Sequence, residues 1–158
     1  MFHVVLTRSR SGGRAVDRME ALRRVQKACA ASGAAFMRVE DGRRFFVATS
    51  DGTEVRVYDP PPNRGRVKQS WSVLDATFNR ASISVADFLL ALSTELNCLS
   101  LIAGTGDPAA PELPLTWPGS SDPISGQEVL TFVEEHCRVP TRPGPPTLAA
   151  PETSKTNE

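Results

Sequence analysis

The chain is poor in the residues that staple small secreted domains and build most metal sites: among 158 residues there are three cysteines and two histidines. Cys29, Cys98 and Cys137 are far apart and odd in number. That excludes a disulfide framework and a C-x-x-C zinc motif, and a reducing compartment is expected. Aromatic residues make up only 6%, with a single tyrosine. Long apolar runs are missing too. The longest, Phe88 to Leu92, falls far short of the roughly 18 residues needed to cross a bilayer. The opening Met1-Phe-His-Val-Val-Leu-Thr-Arg8 has neither the basic start nor the apolar length of a secretory signal, so the expected location is cytoplasmic.

A net charge of either sign is also lacking, since 18 Lys+Arg balance 18 Asp+Glu. The balance hides an asymmetry. Residues 1 to 80 carry fifteen basic against eight acidic side chains, a surplus of seven, and residues 81 to 158 carry three against ten, a deficit of seven. A basic half followed by an acidic half points to a polyanionic partner or to a tail that shields a basic face. An ordinary solvated surface is the bland alternative. Fifteen of the eighteen basic residues are arginine, which also fits the codon bias of a GC-rich genome. With 40% hydrophobic residues, the chain can build one modest core.

The expected fold class is α+β, in the order α-β-β-β-α(-α), with a three-stranded antiparallel meander packed on helices. Residues 1 to 16, with Arg8-Ser-Arg-Ser-Gly-Gly-Arg14, show neither helical nor strand period and read as a disordered basic arm. Translation starting at Met19 is a second reading of the same segment. The domain is expected over 17 to 103. Its first helix runs from about Arg18 to Ser32, capped by Asp17 with Glu20 in reply, striped by Leu22, Val25 and Cys29, and closed by Gly33. Strands are expected over Phe36 to Glu40, Arg43 to Thr49 and Thr53 to Tyr58, joined by the turn dipeptides Asp41-Gly42 and Asp51-Gly52. In the third, Thr53, Val55 and Val57 face one way and Glu54, Arg56 and Tyr58 the other.

Asp59-Pro-Pro-Pro-Asn-Arg-Gly-Arg66 reads as a loop. Val67, Trp71, Leu74 and Phe78 then recur at helical spacing and predict a second helix, ended by Asn79 to Ser82. Ser84 is the expected cap of a third, with Phe88, Leu89, Leu92, Leu96 and Leu99 turned inward. Residues 104 to 124 read as a proline-bearing linker. Over 125 to 138, Ser125 and Glu128 form a capping pair ahead of the stripe Val129, Phe132, Val133 and Cys137. That stripe can dock on the domain or meet a protein partner. Residues 139 to 158 have almost no large apolar side chain, and a disordered tail is expected.

From Met19 to Leu92, several residues together suggest a family. They are the glycine before the first strand, the tight turns, the proline loop with Gly65 and Lys68, and above all Ala81-Ser82-Ile83-Ser84-x-x-Asp87-Phe88-Leu89. This half of the chain resembles the HicA-like mRNA-interferase toxins, whose phrase there is Ala-Gly-Ile-Ser-x-x-Glu-Phe-Leu. The resemblance implies a double-stranded-RNA-binding-like sheet, an RNA surface on its hairpins and an antitoxin partner. The family's histidine, in a Gly-Ser-His sequence, is replaced here by Gly42-Arg43-Arg44. Arginine stays protonated and cannot exchange a proton as imidazole does, so no catalytic residue carries over.

Two functional readings stand. In the first, the chain is a small nucleic-acid-binding accessory or regulatory domain that binds RNA or DNA, with RNA favoured by the resemblance. Arg43, Arg44, Arg64, Arg66 and Lys68 are its expected phosphate ligands. Phe45, Phe46 and Tyr58 are stacking candidates if they face outward, although core roles are commoner for strand aromatics and for Trp71. In the second, it is a non-enzymatic plasmid- or phage-borne accessory protein acting through the Val129–Cys137 helix or the proline-rich segments. No cofactor, metal or membrane partner is expected. Ala103-Gly104-Thr105-Gly106 is expected to follow a helix rather than a strand, and it lacks the lysine that a phosphate loop requires after it. His136 and Cys137 are adjacent on a helix and diverge, and Glu134 and Glu135 read as a solvated face.

Overall fold

The computed structural model describes residues 1–9, 17–60, 66–67, 70–105, 109–115 and 124–140. Its elements in chain order are β1 (Phe2–Ser9), α1 (Arg18–Ser32), β2 (Ala35–Glu40), β3 (Arg44–Ala48), β4 (Glu54–Tyr58), β5 (Arg66–Val67), β6 (Ser70–Phe78), α2 (Ile83–Glu95), β7 (Ser100–Ala103), β8 (Glu112–Pro114) and α3 (Gly126–His136). The class is α+β. The strands form one antiparallel sheet in the order β2-β3-β4-β6-β1-β7-β8, with β5 paired to β6. The helices cover one face. Their buried residues Val25, Cys29, Phe88, Leu89, Leu92, Val129 and Phe132 join Phe45, Val47, Val55, Val57, Ala76, Phe78, Val4 and Leu6 of the sheet in one core.

Local chemistry explains most boundaries. Asp17 accepts from the Glu20 N–H at 3.0 Å and opens α1, while Gly33 closes it at φ 76°, where a side chain would be strained. Ser125 and Glu128 complete a reciprocal capping box at α3. The β2–β3 turn has both Asp41 and Gly42 at positive φ, 56° and 66°, and the Arg43 N–H donates to the Glu40 carbonyl at 3.0 Å. This is the primed turn whose twist matches the strands. Between β3 and β4, Asp51 accepts from Thr49 Oγ1 at 2.6 Å and from the Thr53 N–H at 3.1 Å, with Arg80 Nη2 2.6 Å away.

Four expectations are corrected. Residues 1 to 9 are no arm, because β1 lies between β6 and β7 with Phe2, Val4, Val5 and Leu6 at most 3% exposed. A chain starting at Met19 would lack this strand. The helix expected from Val67 to Phe78 is strand from Ser70 onward. Leu74, Ala76 and Phe78 share the helix-covered face, and Leu74 to Phe78 is a spacing of four, which satisfies helical and strand periods alike. A bulge opposite Leu6/Thr7 leaves Val73 unmatched and absorbs the odd step from Trp71 to Leu74. The α2 cap is Ser82, not Ser84; the helix ends at Glu95, and Leu99 lies outside it at 38% exposure. Within 104 to 124, Glu112–Pro114 is a strand on β7 rather than linker. The unit therefore runs beyond 17 to 103 at both ends. After α3, Arg138 bridges Phe2 and the Val139 N–H donates to the Met1 carbonyl at 2.8 Å, so the expected tail is tied to the sheet at its first residues. The rest of that tail, 141–158, and residues 10–16 of the expected arm lie outside the described residues.

Candidate functional site

Strand alternation divides the meander into two faces. Phe45, Val47, Val55 and Val57 point to the helices, whereas Arg44, Phe46, Glu54, Arg56 and Tyr58 point away. The pairing registers extend this face into two rows across the sheet, open over the meander and buried where they reach Asp75 and Val5. One runs Arg38, Phe46, Arg56, Thr77, His3, and the other Glu40, Arg44, Tyr58, Asp75, Val5. Arg38 and Arg56 thus stand two strands apart, at about 10 Å between backbones.

Phe46 sits between these two arginines. The Arg38 guanidinium lies 3.9 Å from its ring centre and that of Arg56 5.8 Å, a cation–π arrangement that leaves the ring only 5% exposed. Phe45 is buried on the helix side. Neither phenyl is open to a nucleobase, while Tyr58 remains half-exposed. Arg38 is further held by Glu40, Nε to Oε2 at 3.0 Å. Among the described residues no carboxylate lies within ion-pair distance of Arg43, Arg44 or Arg56, and all three are exposed. Arg18, at the start of α1, reaches over the same β2–β3 turn: its Nη1 lies 3.4 Å from where a Gly42 side chain would begin.

Of the residues singled out in the sequence, Arg43 and Arg44 lie in this turn and at the start of β3. Arg66 is in β5, opposite Trp71. That register puts its backbone roughly 13 Å beyond Tyr58 along the same end of the sheet. Arg64 and Lys68 lie outside the described residues. Arg18, Arg38 and Arg56 were missed. For Arg38 and Arg56, strand alternation was the available signal; for Arg18, no local pattern existed, because its approach to Gly42 is tertiary.

At the centre of the sheet, His3 Nε2 lies 2.6 Å from Oδ2 of the fully buried Asp75. Gly104 makes room for the imidazole: a side-chain carbon there would stand 2.6 Å from Nδ1. Burial pushes the thiols up to about 11 at Cys29 and about 12 at Cys98 and Cys137, so they stay neutral and unreactive near neutral pH. No set of three or more His, Cys, Asp or Glu gathers among the described residues. Nor is any helix there long and apolar enough to cross a membrane. The stripe Val129, Phe132, Val133 and Cys137, expected as a possible partner surface, is buried within the domain. An open cleft of about 390 Å³ lies beside α3, lined by Leu113, Phe132 and His136 among others.

No family model matches the chain, and neither a curated protein nor a solved structure is found to match it.

Proposed function

We propose that the open face of the β2–β3–β4 meander binds the phosphate backbone of a nucleic acid, RNA by preference, as an accessory or regulatory module without catalysis. The observation that carries this reading is the set Arg43, Arg44 and Arg56, exposed on one face and its turn and none of them within ion-pair distance of a carboxylate among the described residues. A guanidinium offers a planar fork of donors suited to phosphate oxygens and loses little by leaving water. Arg18 and Arg38 flank the set. The preference for RNA rests on the HicA-like resemblance of residues 19 to 92. Two features qualify that resemblance: β6 stands where the family order has a helix, and Gly42-Arg43-Arg44 supplies no imidazole.

Because Phe45 and Phe46 are covered, binding rests on charge rather than on base stacking, and affinity should vary little with sequence. In fluorescence anisotropy at low salt, the variant Arg43→Ala/Arg44→Ala/Arg56→Ala should bind mixed-sequence RNA roughly tenfold more weakly or worse. All three side chains are exposed, so its melting temperature should stay near that of the parent. Unchanged affinity in a folded variant would reject this face. The cleft beside α3 favours a second reading, an accessory protein that holds a partner peptide there; its binding would be indifferent to the three arginines.

A further inference from the structure

Among the described residues the sheet ends in two strands, β8 and β2, and they are built differently. β8 is three residues long, ends in Pro114 and follows Pro111. Proline removes backbone donors, so this edge is poorly fitted to accept another strand. β2 at the opposite edge has six residues and no proline. Two of its side chains, Met37 and Val39, are 50% and 41% exposed and rank among the few large apolar groups at the surface of the described residues. An edge strand of this kind leaves a row of backbone donors and acceptors unpaired.

From these features we infer that β2 pairs with β2 of a second copy of this chain, antiparallel about a two-fold axis that passes beside Val39. The charges select both the occupant and the register. With Val39 opposite the partner's Val39, Arg38 of each copy stands opposite the partner's Glu40, which makes two cross-strand ion pairs and an apolar contact on the other face. Moving the axis to Arg38 sets two guanidinium groups against each other. Moving it to Met37 leaves Arg38 opposite the partner's Phe36 and Glu40 opposite the partner's Ala34, with neither charge matched. The Arg38–Glu40 bond at 3.0 Å and the stacking on Phe46 at 3.9 Å already hold these side chains at the open face. The irregularity between Phe36 and Arg38 breaks the strand at its other end and confines regular pairing to the Arg38–Glu40 stretch. The same charges that discourage chance pairing therefore permit this one. The pairing does not depend on nucleic-acid binding, although it would join two arginine-bearing faces into one continuous sheet.

Sedimentation equilibrium of the full chain, from micromolar to millimolar, tests this pairing. The parent should show a monomer–dimer equilibrium. Arg38→Glu places like charges opposite each other twice and should raise the dimer dissociation constant roughly tenfold or more. Glu40→Arg should do the same from the other side. The double exchange Arg38→Glu/Glu40→Arg restores opposite charges in the same register and should recover the parent's dimer. Circular dichroism melts of all four proteins establish that each is folded. A parent that stays monomeric, a dimer indifferent to either single variant, or a folded double variant that does not recover it would overturn the pairing.

Discussion

Asp51 shows how one side chain ties a turn to its surroundings. The Thr49 hydroxyl above all, opposed by desolvation and then aided by Arg80, Ser82 and Thr53, holds its carboxyl well below the usual carboxylate range. A carboxyl depressed in the folded state is protonated first in the unfolded chain, near pH 4. Its contribution is therefore complete above about pH 4 and is lost as pH falls below that. Arg80 is 63% exposed, so solvent screens the pair and the contribution is about 1 kcal/mol. In urea denaturation, Asp51→Asn should cost about that much at pH 7 and progressively less as pH falls below about 4; a cost that does not shrink with acidification would contradict the carboxylate's role. Residues of this kind were partly legible in the sequence. Asp17, Gly33 and Ser125 act within a few positions of themselves, so a cap or left-handed residue can be recognised from neighbours alone. His3 and Asp75 are 72 positions apart, and the glycine that makes room for the imidazole is at 104. No local pattern announces such a trio.

Among elements, the three helices and the meander follow from period and punctuation. α1 matches its expected span, Arg18–Ser32, and the meander strands fall within a residue of theirs. Two of the failures, β1 and β6, share a cause. Both are central strands: β1 has Val4 and Leu6 buried on one face and Val5 and Thr7 on the other, and Asp75 of β6 is buried on the face turned away from the helices. A strand covered on both faces loses the apolar–polar alternation that would reveal it. In β6 a bulge also shifts the phase, so the stripe mimics a helix. The position of β1 has a direct consequence. Phe2, Val4, Val5 and Leu6 are nearly completely buried, and each contributes roughly 1.5–3 kcal/mol. Together they rival the whole 5–15 kcal/mol by which a domain is stable. A protein lacking residues 1 to 9 should be unfolded by circular dichroism and show collapsed amide dispersion by NMR. A cooperative melt from that protein would contradict the central placement of β1.

Across the whole molecule, the charge asymmetry of the sequence takes a spatial form. Arg38, Arg43, Arg44 and Arg56 of the first half share the face of the meander turned away from the helices and its turn, while Arg23 and Arg24 lie on α1 and the exposed Glu134 and Glu135 on α3, which packs on α2 in the helix layer. The halves are not separate domains, since β1 and β6 of the first pair with β7 or support α2 of the second within one core. The sequence-level imbalance could suggest a polyanion partner but not where it would bind, because that depends on which strand faces turn outward. The most direct test is the salt dependence of RNA binding, read by fluorescence anisotropy from about 50 to about 200 mM salt for the full chain and for Arg43→Ala/Arg44→Ala/Arg56→Ala. Each phosphate neutralised adds about 0.9 to the slope of log affinity against log salt on a duplex, so binding through these three arginines predicts a variant slope shallower by roughly 2.7. No binding at the lowest salt, or parent and variant slopes that coincide, would contradict a nucleic-acid interface on this face.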